Sequence, residues 1–429
     1  MPGLTDLAAL RRGFGDRLAP VAHHPALGLA VSGGADSLAV MLLMAEWARE
    51  VSKPPRLVVY TLDHGLRPEA ADEAAFVVRE AERLGLIARS LRWMGEKPAA
   101  GVQAAARAAR YRLIGEAMRT DGVQMLLTAH HAQDQAETVL MRLAHGSGLD
   151  GLRGMESFSE VEGVPVFRPL LDVPPELLRA VVAEAGLTAV ADPSNADPHY
   201  ERVRWRQAMP VLAELGFSGA RIAQFAQRGG EADDALSQWA DERFAALVTV
   251  DQLGTAQLAH AELSSLPKAV GVKLIGRLLD FAGGGQKPRA LGAVERLYQL
   301  LTREPSFRRF TTLGALVARR GDTLWFAREP GRQATPAATI LPREKLLWDR
   351  RFRISNRSGE QLGVRRAGDF SRREAEKLVG ADIAGPAASF RSAPLISAPD
   401  GTVLALGCYR FDNNITVELA GTDAALPHT

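Results

Sequence analysis

Short apolar runs alternate with longer stretches of helical periodicity through the first half of the chain. Ala26–Val31 is an apolar run that ends in Ser-Gly-Gly, and Ser37–Glu50 then repeats apolar residues at helical spacing. Leu57–Leu62 reads as a strand, Ala70–Leu84 as a helix and Ile87–Trp93 as a further strand. Val102–Thr120 is an alanine- and arginine-rich helix, Val123–Thr128 a strand, and a helix runs from about Gln133 to Ala144. This alternation predicts an α/β fold, an N-terminal doubly wound parallel sheet with helices on both faces. Right-handed crossovers put the functional loops at the C-terminal ends of the strands.

The rhythm changes after about Pro210. Phe217–Leu301 reads as mostly helical, with Leu212, Leu215, Phe225, Leu236, Trp239 and Phe244 as expected core residues and Gly283–Gly285 as a turn. Short strands return over Thr311–Phe326, around a hairpin-like turn at Arg320-Gly321-Asp322. Gly331–Pro342 reads as a linker, and Trp348–Val417 as a small β-rich domain with a helix near Arg372–Leu378. The expected domains are 1–215, the α/β domain; 216–335, mostly helical; and 336–429, small and basic.

Composition adds exclusions. Of 429 residues, 46% are hydrophobic and 24% charged, ordinary for a globular protein. The single cysteine, Cys408, excludes an intramolecular disulfide and any metal site built from several protein cysteines. The most apolar stretch, Leu27–Ala48, carries Ser32, Asp36, Ser37 and Glu46 and makes a poor membrane span. The first ten residues hold Asp6 and no basic run of the kind that opens a secretory signal. A soluble, reducing, cytoplasmic setting without a membrane partner is expected. The net charge of +2 selects no partner. Between Arg343 and Arg373, however, there is a surplus of six positive charges. Such a tract favours phosphate, or forms an ordinary solvated surface.

The sharpest chemistry is Ser32-Gly33-Gly34-Ala35-Asp36-Ser37, at a strand end and a helix start. Its glycines allow a tight turn with positive φ and close backbone approach to a ligand. The unpaired N–H groups of the turn and of the helix start attract an anion. Ser32 and Ser37 can donate hydroxyl protons to it. Neither Gly-x-x-x-x-Gly-Lys-Ser/Thr nor Gly-x-Gly-x-x-Gly follows the strand. Asp36 is out of place in a pure anion cradle and makes sense as a ligand of Mg²⁺ bridging to phosphates. A plain helix cap would need one of these residues, not the string.

The loop resembles the PP-loop of the ATP pyrophosphatase superfamily. Further segments follow in order: Leu62-Asp63-His64-Gly65-Leu66-Arg67, Ala106–Tyr111, Thr128–Thr138, Gly146–Met155, Arg168–Leu171 and Asp192-Pro193-Ser194-Asn195. Together they are similar to the tRNA(Ile)-lysidine synthase family, densely over about residues 26–210. The resemblance implies that ATP and Mg²⁺ bind the loop Ser32–Ser37, with Asp36 on the metal and Asp63, His64, Arg107 and Arg110 also at the nucleotide. It implies catalytic roles for Asp36, His130 and Asp134. The wobble cytidine of tRNA(Ile) would be adenylated at its C2 oxygen with loss of pyrophosphate, and free lysine would displace AMP to give lysidine. Residues 216–335 would bind tRNA or substrate and 336–429 would bind tRNA, with Arg202, Arg204, Arg206, Arg365 and Arg366 facing it.

The residues themselves leave alternatives open. His130, Asp134 and Glu137 fall at i, i+4 and i+7 on one helical face, fit for Mg²⁺, a substrate amine or a proton in transit, or for capping and surface ion pairs. Arg107 and Arg110 share a face and suit either a phosphate clamp or a solvated surface. Asp63 and His64 stand at a strand end beside Gly65, at a nucleotide cleft or in simple turn chemistry. Arg202, Arg204 and Arg206 alternate with Val203 and Trp205, either along a nucleic-acid backbone or in a structural strand or helix end. Three positions depart from the family pattern: Gln133 stands for the first Asp of Asp-Asp-Gln, His145 for Arg, and Val203 for the Asn of Arg-Asn-Arg. A PP-loop thiolase or amidating synthetase, and a tRNA-binding relative without catalysis, remain as rival readings.

Overall fold

The chain was described from a computed structural model, which covers residues 6–98, 101–190, 197–285, 291–304, 307–331, 336–368 and 370–420. The segment Asp192–Asn195 lies outside these described residues. The chain divides into two compact units, the first ending at Glu231 and the second beginning at Ala232.

In the first unit the strands are β1 (Ala26–Ala30), β2 (Arg56–Asp63), β3 (Ile87–Arg92), β4 (Met125–Leu127), β5 (Phe158–Val161) and β6 (Val164–Phe167). The helices are α1 (Leu7–Arg12), α2 (Phe14–Leu18), α3 (Ala35–Glu50), α4 (Ala70–Arg83), α5 (Val102–Asp121), α6 (Ala132–Ala144), α7 (Leu149–Leu152), α8 (Pro175–Glu184), α9 (Glu201–Glu214) and the start of α10 (Gly219–Leu247). The sheet order is β3-β2-β1-β4-β6-β5, parallel throughout except for the β5–β6 hairpin. The chain runs outward from β1 to β3, then returns to lay β4 on the other side of β1. The order reverses there, so the C-terminal ends of β1 and β4 part and leave a crevice.

Both faces of this sheet are covered. Leu27, Leu29, Leu57 and Val59 pack into one core with α3 and α8. Ala26, Val58 and Tyr60 alternate with them and pack against Tyr111, Ile114 and Met118 of α5. Burial on both faces is why these strands read as unbroken apolar runs.

The second unit carries β7 (Thr249–Val250), β8 (Ala256–Ala259), α11 (His260–Ser265), α12 (Lys268–Gly283), α13 (Leu291–Arg303), β9 (Arg309–Thr312), β10 (Ala315–Arg320) and β11 (Thr323–Arg328). Its first sheet, β7-β8-β11-β10-β9, is antiparallel and shares a core with α12 and α13. There follow β12 (Ala338–Ile340), β13 (Lys345–Trp348), β14 (Phe352–Asn356), β15 (Leu362–Arg366), α14 (Arg372–Val379), α15 (Ala388–Arg391), β16 (Pro394–Ser397), β17 (Val403–Leu406), β18 (Tyr409–Arg410) and β19 (Ile415–Leu419). These strands form the sheets β12-β15-β16-β17-β18 and β13-β14-β19.

Several expectations need correction. The stretch read as mostly helical is built from α10 to α13 as expected, and includes besides them the short β7–β8 hairpin, whose turn is held by Asp251 Oδ1 accepting from the amides of Leu253 and Thr255. The segment read as a linker includes β12, which pairs with β15 and buries Ile340. Among the expected core residues, Leu215, Phe225 and Trp239 are 71%, 55% and 41% exposed. The buried stripe of α10 is made instead by Ile222, Ala226 and Ala240, and the two alanines admit close helix packing. The basic tract is not uniformly solvated either. Arg351 is buried, donates to Asp349 Oδ2 and to the Ser392 carbonyl, and is pushed down by burial to about 10. Arg365 and Arg366 stay near the surface, donating to the carbonyls of Arg366 and Pro330. Among the described residues no helix is long and apolar enough to cross a membrane.

Candidate active site

The loop between β1 and α3 is shaped by its two glycines in different ways. Gly33 has φ +88°, a conformation that L side chains rarely adopt. A Cβ there would also meet Val190 Cγ2 at 3.0 Å. The Gly33 carbonyl accepts from the Val190 amide at 2.9 Å. Gly34 is the N-cap of α3, with φ −69° and no side chain to cap the helix. A Cβ at Gly34 would meet only Ser32 Oγ, at 3.7 Å. The first-turn amides of α3 therefore have no side-chain cap, and the space beside them is open to an anion. Ser37 is buried, and its Oγ donates to the Gly34 carbonyl at 2.9 Å while accepting from the Ser32 amide at 3.1 Å. The hydroxyl expected to donate to an anion thus also bonds within the loop. Ser32 is exposed, with its Oγ 3.3 Å from Ser37 Oγ.

Across the crevice, the loop after β4 starts α6. The N-cap is His131, whose Nδ1 accepts from the amides of Gln133 and Asp134 at 3.2 and 3.4 Å. Asp134 Oδ2 accepts from the His131 amide at 3.0 Å, closing a capping box. This arrangement places the ring proton on Nε2, which lies 3.5 Å from Asp36 Oδ2 and 3.4 Å from Asp134 Oδ2. His130 precedes the helix and pairs through Nδ1 with Thr128 Oγ1 at 2.9 Å. The expected face of His130, Asp134 and Glu137 is therefore broken at its first member, and His131 meets the loop instead. The signal for His131 was its capping-box spacing, three residues before an acidic side chain at a helix start.

The two histidines titrate in opposite directions. Burial lowers His130 to about 4, opposed by Asp134 and reinforced by the charges of Arg168, Arg202 and Arg107. Burial also works against charge on His131, but the Asp36 hydrogen bond and the carboxylates of Asp134, Asp36 and Glu137 outweigh it and raise its pKa.

Glu137 is fully buried. It accepts from Arg202 Nε at 2.9 Å, Arg206 Nε at 2.9 Å and Gln133 Nε2 at 3.1 Å. Arg202 Nη2 also donates to Asp134 Oδ1 at 2.9 Å. Residues 202–206 form a helical turn, so Arg202 and Arg206 share the face of α9 that meets α6. Arg204 turns elsewhere, to the carbonyls of Pro198 and His199 at 3.0 Å each. The alternation in sequence thus does not place three arginines on one outward track.

The departures from the family pattern are built into this network. Gln133 supplies an N–H that an ionised aspartate could not. Val203 is buried, and His145 Nε2 lies 3.1 Å from Glu201 Oε1.

The remaining candidates are placed by contacts within the first unit or belong to the second. Asp63 is buried; its Oδ1 accepts from the Gly65 amide at 2.8 Å, and its Oδ2 lies 3.3 Å from Arg92 Nε. Arg110 Nη2 sits 3.0 Å from His64 Nε2, and the Arg107 guanidinium lies 5.1 Å from the Tyr111 ring centroid. The Gly146–Met155 segment is pinned to α6 by the Gln135 amide, which grips the Met155 backbone at 2.7 and 2.6 Å, and by Arg142 donating to the Gly151 carbonyl at 2.8 Å. Arg168 is buried and donates to the Glu156 carbonyl and Ser159 Oγ, both at 2.8 Å. Arg365 and Arg366 belong to the second unit.

Residues 9–212 match the sequence model of the PP-loop domain. A tRNA(Ile)-lysidine synthase of Rhodopseudomonas palustris is 43% identical over 320 residues, 72% of this chain and 92% of that protein. One of a Bradyrhizobium species is 40% identical over 334 residues, 73% and 93%. One of Ruegeria pomeroyi is 34% identical over 382 residues, 87% and 88%. The chain belongs to the tRNA(Ile)-lysidine synthase family. It is accordingly a PP-loop, ATP-using ligase. In this member of the tRNA(Ile)-lysidine synthase family the loop after β1 keeps the whole Ser-Gly-Gly-x-Asp-Ser string.

Two consequences follow from this geometry. Gly34→Val has room for its side chain only where an anion would lie, so it should abolish ATP binding in calorimetric titration while unfolding with wild-type cooperativity. Gly33→Ala should instead cost about 2–3 kcal/mol of stability, because it combines left-handed backbone with the Val190 contact.

The second consequence concerns pH. Folded His130 stays neutral down to about pH 4, whereas its unperturbed value is 6.5. Between these limits the unfolded chain holds the extra proton, so stability rises with pH and is lost as pH falls through the window. On going from pH 7 to pH 4 the wild type should lose on the order of 2 kcal/mol more than His130→Asn, read by urea denaturation.

Proposed function

We propose that the chain ligates lysine to C2 of the wobble cytidine of tRNA(Ile), through an O-adenylated cytidine and with release of pyrophosphate and AMP. The observation that carries this reading is the uncapped, glycine-shaped loop Ser32–Ser37 at the sheet's switch point, in a chain of this family. Its backbone amides and Ser32 Oγ suit the phosphates of ATP. Asp36 suits Mg²⁺: it is the one carboxylate on the loop, partly exposed, and only its Oδ2 is engaged by His131. A single carboxylate completed by phosphate oxygens and water is ordinary Mg²⁺ coordination, and the ion would offset charge building up on the phosphates.

In the first step the C2 oxygen of the cytidine attacks the α-phosphate and pyrophosphate leaves. Adenylation turns a poor oxygen leaving group into AMP. In the second step an uncharged amine of lysine attacks C2 and AMP departs. Catalysis by the protein is then mainly positioning and charge stabilisation. His131 holds Asp36 from behind with its Nε2 proton. Asp134 and Glu137 are occupied by hydrogen bonds from arginines, whereas His130 is neutral at working pH and available as an acceptor. Arg107, with Arg110 and His64, supplies cation and N–H donors at the nucleotide edge. The tRNA would be gripped also by Arg365 and Arg366, in the domain the sequence sets at 336–429.

Sulfur transfer is poorly served by this chain. Cys408 is its one cysteine, and burial pushes that thiol up to about 11, leaving little thiolate. The direct test is mass spectrometry of nucleosides from tRNA(Ile) incubated with enzyme, ATP and lysine. Lysidine should form, and omission of lysine should leave unmodified cytidine after hydrolysis. A sulfur-containing or amidated nucleoside, or no product with an intact transcript, would refute the reading.

A further inference from the structure

Two of the arginines that the sequence suggests for RNA, Arg202 and Arg206, are held by Glu137 with their side chains 37% and 40% exposed. One helix later, the chain presents a different surface. Phe217 and Phe225 are 56% and 55% exposed, and Arg221 and Arg228 are also exposed. Arg221, Phe225 and Arg228 fall at i, i+4 and i+7 and so share one face of α10. Phe217 lies just before the helix, two residues ahead of Gly219. The opposite face buries Ile222 and Ala226 against Ala136, Val139, Leu152 and Met209. The stripe therefore lies on the outside of a helix whose inside packs on α6, the helix that carries Asp134 and Glu137.

The chemistry of the stripe selects its occupant. Residues 215–230 contain no aspartate or glutamate. Arg221 donates to the Gly216 carbonyl, and among the described residues neither Arg221 nor Arg228 pairs with a carboxylate. On the helix the Phe225 ring lies between the two cations, four residues after Arg221 and three before Arg228. An apolar partner would cover the two rings but strand two guanidiniums without counter-charge. Unstacked nucleotides offer both halves at once, a base face for each ring and a phosphate for each guanidinium.

We infer that Phe217, Arg221, Phe225 and Arg228 form a platform for single-stranded RNA, which takes the loop of the tRNA substrate beside α6. The inference rests on the proposed tRNA reaction and adds where its unpaired nucleotides are held.

The test uses the full-length enzyme and a fluorescent anticodon stem–loop of tRNA(Ile), with anisotropy titrations across a range of salt. Phe217→Leu and Phe225→Leu should each weaken binding about tenfold with the salt slope unchanged, because leucine keeps the apolar bulk and loses the stacking face. Phe225→Tyr should bind as the wild type does. Arg221→Gln and Arg228→Gln should each flatten the salt slope by about 0.7. Unchanged affinity in the Phe217→Leu, Phe225→Leu double variant overturns the platform. So does a sedimentation experiment in which that variant dissociates a wild-type oligomer, which would make the stripe a self-interface. Lysidine formation is read on the same wild-type preparation. If lysidine forms and the stripe variants bind normally, the platform alone fails; if no lysidine forms, the proposed reaction fails whatever the stripe does.

Discussion

A carboxylate with no access to water must be neutralised where it sits, and Glu137 imposes that requirement on the catalytic half of this chain. Leaving it unpaired would cost several kcal/mol. The two guanidiniums that meet it come from one face of α9, so α9 must lie against α6 with Arg202 and Arg206 inward. Gln133 completes the set with a neutral donor. Asp134 shares Arg202 and, through the capping box, fixes the start of α6. That start is His131, whose Nε2 reaches Asp36 on the opposite side of the crevice. A chain of contacts thus runs from α9 to the phosphate loop, and each member is oriented by the one before.

The loop itself depends little on side chains. Gly33 is required by its own backbone and by Val190, while Gly34 is required by nothing in the folded protein. A position that leaves room without using it suits a ligand, and the adjoining uncapped amides suit an anionic one. Ser37 braces the loop by taking the Ser32 amide and donating to the Gly34 carbonyl.

Much of this was legible in the sequence. The α/β rhythm predicted the parallel sheet, because strands buried on both faces are continuous apolar runs of limited length and the helices between them are long. The loop Ser32–Ser37 stood out because it sits at a strand–helix junction, where the structure places it between β1 and α3. What escaped was directional. Asp134 and Glu137 are visible as a helical pair, but which arginines answer them depends on how α9 packs, and alternation over 202–206 suggested an extended track that the helix does not form. His130 and His131 are chemically identical neighbours, separated only by which one caps the helix. Phe225 and Trp239 were read as core because large rings usually are, whereas α10 is buried through alanines. The short β12 was hidden in a proline-containing segment read as a linker.

The central claim is that the Ser32–Ser37 loop, with Asp36 held by His131, is where ATP activates the tRNA. It is tested most directly by ATP–pyrophosphate exchange with tRNA(Ile) present and lysine absent, on the wild type and Asp36→Asn, with tRNA affinity measured by filter binding on the same proteins. The account predicts that exchange falls by about 100-fold or more in the variant while tRNA affinity stays within about twofold. Equal losses of exchange and tRNA binding, or exchange that survives the substitution, would contradict it.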